Sequence, residues 1–174
     1  LTASRDNGDE GAGVFAVHTG DGGRTFSFIS WIVAAPDTQL IMPSSVRLDE
    51  NTILTAVRCR DITGKFDPAP SWIDLFQSCD DGRSWQHLSR PVPDVGRGGN
   101  PPAMLRLRDG RVCLTYGYRA EPFGIRAQLS EDGGRTWGDA IHLRDDGGGP
   151  DLGYTRTIQR ADGALVTTYY FNEH

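Results

Sequence analysis

Short runs of apolar and β-branched residues, each bounded by Gly, Pro, Asn or Asp, dominate the chain. Val112 to Tyr118 and Ile125 to Leu129 have strand length, strand composition and turn residues at their ends. No segment longer than ten residues holds a 3.6-residue period, so the pattern predicts strands and no sustained helix. Asp109-Gly110 and Asp162-Gly163 each stand between two such runs. Asp-Gly flanked by β-runs is a strong hairpin signal, because glycine takes the positive φ that tight hairpin turns need.

The punctuation repeats. Thr19-Gly-Asp-Gly-Gly-Arg-Thr-Phe26 returns as Ser78-Cys-Asp-Asp-Gly-Arg-Ser-Trp85 and as Ser130-Glu-Asp-Gly-Gly-Arg-Thr-Trp137, at shifts of 59 and 52 residues. A second element ends at Arg58, Gly117 and Tyr170, at shifts of 59 and 53. Two motifs moving together define a structural unit. Each unit reads as four strands. The first two flank the Asp-Gly turn, the third leads into the acidic-glycine motif, and the fourth begins at that motif's aromatic residue. Four antiparallel strands per repeat predict an all-β fold, a β-propeller of four-stranded blades. The reading gives about three blades: a partial blade over 1–34, full blades over 40–92 and 99–145, and a partial blade over 153–174. It implies a segment of a larger propeller, or a half-propeller that self-associates.

Composition narrows the function classes. The net charge is −5, which argues against a nucleic-acid binder with a basic face. No run approaches the length of a membrane span. Of 18 basic residues only Lys65 is lysine, so an anion site here is built from arginine. Cys59, Cys79 and Cys113 form no CxxC pair, and the histidines form no ligand set. Neither a metal nor a cofactor is expected, and the cysteines read as three buried free thiols. No signal peptide is visible, and the chain starts at Leu1.

The pattern Ser/Thr-x-Asp-x-Gly-x-Thr/Ser-Trp/Phe resembles the Asp box of the sialidase (neuraminidase) superfamily. Together with Asp151-Leu-Gly-Tyr-Thr-Arg156, the chain resembles uncharacterised bacterial sialidase-like proteins. The resemblance implies a six-bladed parent propeller and a secreted or periplasmic setting. It does not put chemistry into the boxes. An Asp side chain here can cap nearby backbone N–H groups, and the aromatic can tuck between sheets. Asp21, Asp80 and Asp132 are therefore read as structural.

Chemistry is expected where the second-to-third-strand loops and the blade-to-blade loops meet on one face. Arg5-Asp6, Arg60-Asp61 and Arg119-Ala-Glu121 each bring arginine and a carboxylate to the end of a second strand. Guanidinium groups from several blades can converge on one carboxylate through paired hydrogen bonds, or each can pair with its neighbouring acid at the surface. Arg58 and Arg60 lie two apart and share a face. The resemblance implies Tyr154 as nucleophile, because sialidases use tyrosine where other glycosidases use a carboxylate. A neutral phenol is not repelled by the carboxylate at the sialic acid anomeric carbon, but it needs a base. No glutamate matches the family's base. Asp61, Asp6 and Asp151 are candidate carboxylates, with Asp61 taken as the catalytic one. Arg58, Arg60, Arg119, Glu121 and Asp151 are the candidate substrate-binding residues. The expected activity is sialidase-like hydrolysis of an anionic sugar. A non-catalytic carbohydrate-binding or protein-interaction propeller is the alternative.

Overall fold

The structure is a computed structural model and describes residues 1–6 and 12–173, with the side chains of residues 5, 6 and 12 outside the description. The described residues form thirteen strands in four antiparallel sheets and contain no helix. The first sheet has strands β1 (Thr2–Asp6), β2 (Ala12–His18) and β3 (Ser27–Ala35). The second has β4 (Thr38–Arg47), β5 (Ile53–Asp61), β6 (Ser71–Ser78) and β7 (Gln86–Val92). The third has β8 (Ala103–Arg106), β9 (Val112–Tyr118), β10 (Gly124–Ser130) and β11 (Ile141–Arg144). The fourth pairs β12 (Gly153–Gln159) with β13 (Leu165–Tyr170). Within each sheet the strands pair in sequence order, as in a propeller blade. No pairing among the described residues joins the fourth sheet to the first, so the blades form an open series.

Successive blades bury apolar faces against each other. Alternation along a strand sends neighbouring side chains to opposite faces. Leu54 and Ala56 of β5 join Val112, Leu114 and Tyr116 of β9 in one core, between the second and third blades. Val57 and Cys59 of the same β5 join Val14, Ala16 and Ile32 in another, between the first and second. Burial pushes the Cys59 thiol up to about 12 and the Cys113 thiol up to about 11. Cys79 is exposed, contrary to the expectation for all three cysteines, because it sits in a turn rather than on a strand.

The three acidic-glycine turns join third to fourth strands. In each, the Asp carboxylate collects the backbone N–H groups three and four residues on, together with a hydroxyl on either side. Asp80 accepts from Ser84 Oγ at 2.6 Å, Ser84 N at 2.8 Å, Arg83 N at 3.0 Å and Ser78 Oγ at 2.8 Å. Asp132 and Asp21 repeat the pattern. The aromatic that follows closes the seam to the preceding blade: Trp85 Nε1 reaches Ser30 Oγ, and Trp137 Nε1 reaches Ser89 Oγ. Trp137 is therefore a wedge rather than the first residue of the fourth strand, and β11 starts only at Ile141. The connection between the first and second blades is short, since β3 and β4 are separated only by Pro36 and Asp37.

These carboxylates titrate low. The hydroxyl and amide hydrogen bonds at Ser84 lower Asp80 to about 2, and those at Thr136 lower Asp132 to about 2. A group whose folded pKa is depressed contributes stability above its unfolded value, near 3.9, and loses it as pH falls through the folded value. The urea midpoint is therefore expected to drop between about pH 4 and about pH 2. Asp132→Asn should lower the midpoint at pH 7 and flatten that acid limb. An unchanged pH profile in the variant would remove this role.

Candidate functional site

The chemistry-bearing residues gather at the ends of second strands, beyond the reach of the apolar cores. Arg58 follows Leu54 and Ala56 on the face of β5 turned toward the third blade. Arg119 follows Thr115 and Gly117 on the face of β9 turned toward the fourth. Backbone bonds fix Arg119: its N–H donates to the Val95 carbonyl and its carbonyl accepts from Arg97 N. Gly96 allows this close approach, since a Cβ there would stand 2.2 Å from the Arg119 carbonyl carbon.

First strands enter the same region through bulges. In β4 the register shifts between Ile41 and Ser44, with Met42 at φ 52°. In β12 it shifts between Gly153 and Arg156, with Tyr154 at φ 53°. A left-handed backbone is costly for a side chain as bulky as tyrosine and persists only where its surroundings impose it. Asn100 imposes it. Fully buried, Asn100 accepts Gly117 N at 3.1 Å and Tyr154 N at 3.2 Å through Oδ1, and donates Nδ2 to the Leu152 carbonyl at 2.9 Å. Arg119 donates Nε and a terminal NH₂ to the same carbonyl, both at 3.1 Å. One amide thus sets the Tyr154 backbone and the carbonyl that holds Arg119. Gly153 is required beside it, because a Cβ there would meet Asn100 Nδ2 at 2.2 Å and its φ is 118°.

The electrostatics are one-sided. Arg58 is 9 % exposed, donates to the Gly98 carbonyl and to Met42 Sδ, and leaves Nε without a partner. Burial lowers its pKa first, and the positive charges of Arg119 and Arg60 lower it further, opposed by the Tyr154 phenol beside it. Among the described residues no carboxylate forms an ion pair with Arg58, Arg60, Arg97 or Arg119. Next to this cluster lies a cleft of about 370 Å³ lined by Arg60, Asp67, Arg97, Gly98, Arg119 and Asp151, among others. The Tyr170 phenol donates to Asp151 Oδ1 and accepts from Arg119 at 3.2 Å. The Tyr154 and Tyr170 rings are 5.8 Å apart, and the Arg119 guanidinium carbon lies 6.0 Å from the Tyr154 ring centre.

Arg58, Arg60, Arg119, Asp151 and Tyr154 thus stand together. Asp61 does not join them. It is an odd step from Arg60 and turns to the other face of β5, where Oδ1 accepts Thr63 N at 3.0 Å and Thr63 Oγ1 at 2.7 Å. Glu121 lines a separate cleft with Phe123 and Asp145. The side chains of Arg5 and Asp6, and residues 7–11, lie outside the described residues. Three residues of this region were not foreseen: Tyr170, Asn100 and Arg97. The repeat itself carried the signal for Tyr170, which occupies the same repeat position as Arg58. In the register, Ile41 opposite Arg58 corresponds to Gly153 opposite Tyr170.

Asn100→Ala strands the Gly117 and Tyr154 N–H groups and leaves Arg119 as the side-chain donor to the Leu152 carbonyl. A loss of at least about 1–3 kcal/mol is expected, read from the urea midpoint. Gly153→Ala should cost a comparable amount. A midpoint within error of the parent for either variant would refute the clamp.

No family model matches the chain, and no curated protein matches it. Solved structures do. A crystal structure of a protein of unknown function from Dyadobacter fermentans superimposes with a TM-score of 0.79 at 26% identity, covering 99% of this chain and 45% of that one. A Hadza microbial sialidase gives 0.62 at 14% identity, covering 94% and 40%. The Penicillium chrysogenum α-L-arabinanase, complexed with arabinobiose, gives 0.59 at 18% identity, covering 92% and 49%. The chain spans less than half the length of each of these structures. The likeness establishes a β-propeller fold of the kind found among glycoside hydrolases.

Proposed function

We propose that the chain carries part of the substrate-binding face of a sialidase-like glycoside hydrolase acting on a sugar that bears a carboxylate. The observation that carries this reading is Arg58. A buried guanidinium with an unpartnered Nε and no acid beside it, crowded by two more arginines, is completed by an anion. Uncompensated buried charge is costly, and a ligand carboxylate removes that cost through charge-assisted hydrogen bonds.

The mechanism follows from the charge of such a substrate. Arg58, Arg60 and Arg119 hold the carboxylate, and their positive field repels no part of it. A carboxylate nucleophile would be repelled by the substrate, whereas a neutral phenol is not. The resemblance assigns that phenol to Tyr154, whose ring stands beside Arg58 and Arg119. A second reading, a carbohydrate-binding propeller without turnover, is favoured by one observation: among the described residues no carboxylate hydrogen-bonds to the Tyr154 phenol.

Titration with N-acetylneuraminate and with the neutral sugar arabinobiose tests the reading. Binding of the acid is expected to weaken with salt. Arg58→Ala and Arg119→Ala should each reduce its affinity about ten- to a hundredfold, from the loss of charge-assisted bonds. Equal binding of both sugars, unaffected by either substitution, would sink the anionic-sugar assignment. Binding with no release of nitrophenol from 4-nitrophenyl sialoside would favour the second reading.

A further inference from the structure

A phenol nucleophile needs a proton acceptor, because its ordinary pKa near 10 leaves it neutral at working pH. Two phenols face the arginine cluster, and their surroundings differ. Tyr154 stands against a guanidinium. Tyr170 donates its hydroxyl proton to Asp151 Oδ1 and accepts from Arg119 at 3.2 Å. Asp151 opens onto the cleft together with Arg60, Arg97 and Arg119. A proton acceptor and a stabilising cation, both lining the cleft, therefore hydrogen-bond to one phenol oxygen beside it. That is the arrangement an activated nucleophile requires. Burial first, and then the hydrogen bond to Asp151, raise the Tyr170 pKa, so the phenol stays neutral with its proton already aimed at a base.

We propose that Tyr170 is the nucleophilic phenol of this site and Asp151 its general base, with Tyr154 forming the wall beside them. The proposal rests on the sialidase-like reading above. With an aryl sialoside, a bond forms from Tyr170 Oη to the anomeric carbon as the bond from that carbon to the aryl oxygen breaks. The aryloxide leaves with the electron pair and needs no acid. The Tyr170 proton passes to Asp151. Water then attacks the anomeric carbon and releases one proton to solvent. The bond to Tyr170 Oη breaks, and Asp151 returns its proton to the phenolate. Arg119, bonded to Tyr170 Oη, stabilises the oxygen as it departs.

The test is covalent trapping on this chain with a 3-fluorosialosyl fluoride. Its fluoride leaves readily, and its second fluorine slows turnover through an oxocarbenium-like transition state. The modified tyrosine is identified by peptide mass spectrometry. An adduct on Tyr170 is expected, absent in Tyr170→Phe. In Asp151→Asn it should form about 10²- to 10⁴-fold more slowly, the usual contribution of a general base. If Tyr170→Phe fails to fold, the labelled position in the parent chain still decides. An adduct on Tyr154 or elsewhere overturns the proposal and leaves the proposed function standing. Binding of N-acetylneuraminate without any adduct also overturns it, and supports the binding-only reading. Absence of both binding and adduct removes the proposed function and this inference together.

Discussion

Each inner blade of a propeller must be covered on both faces, and this constraint organises the molecule. A single strand such as β5 serves two cores at once, with Leu54 and Ala56 turned one way and Val57 and Cys59 the other. Close packing at those levels admits a charged side chain only where its partners are supplied, as Trp72, His87 and Arg90 supply them to the buried Asp74. Where the strand runs past the apolar core, the same alternation continues but the occupants change. Arg58 and Arg60 extend the face of Leu54 and Ala56, and Arg119 extends the face of Thr115 and Gly117. The seams between blades thus open into a polar, cationic rim. The site is a consequence of strand length and of two-sided burial.

The two ends of the blades divide the labour. The acidic-glycine turns at one end satisfy their own backbone and wedge Trp85 and Trp137 into the preceding seam. Rigidity there costs no function, because no ligand group is needed. At the other end the chain holds a left-handed tyrosine, several close glycine approaches and a cluster of like charges. Strain and repulsion of this kind persist only when neighbouring structure over-determines them. Asn100 does so by tying the third blade to the fourth, and by sharing the Leu152 carbonyl with Arg119. Position and charge are therefore coupled: the amide that bends Tyr154 into place also sets the carbonyl that orients one of the arginines.

Glycosidase-like propellers offer one scaffold to many sugars, so the fold carries the class of reaction only weakly. What distinguishes this chain is the chemistry at its rim. On the proposed function, arginine without a matching acid takes an anionic partner, and a tyrosine hydrogen-bonded to an aspartate supplies a phenol with a base. These features come from different blades. They become meaningful only in combination, which is why a search for one local motif passes over them.

Local chemistry made much of this legible from the chain itself. Two repeats in register identified four-stranded blades, because turn residues act through their own backbone and need no distant partner. The Asp-Gly hairpins and the self-capped acidic turns followed for the same reason. The shared face of Arg58 and Arg60 followed from strand alternation. The tertiary structure alone decided how the site is populated. Asp61 and Asp151 are both carboxylates near arginines in the sequence, yet strand alternation turns Asp61 to the opposite face while the fourth blade brings Asp151 to Tyr170. Nothing in the composition of its strand singles out Tyr170. Its proposed role draws on an arginine 51 residues away. Asn100 gave no signal, since an amide's value lies in partners 17, 52 and 54 residues distant. Turns are local and were readable; a site assembled across seams is non-local, and only packing fixes which side chains meet.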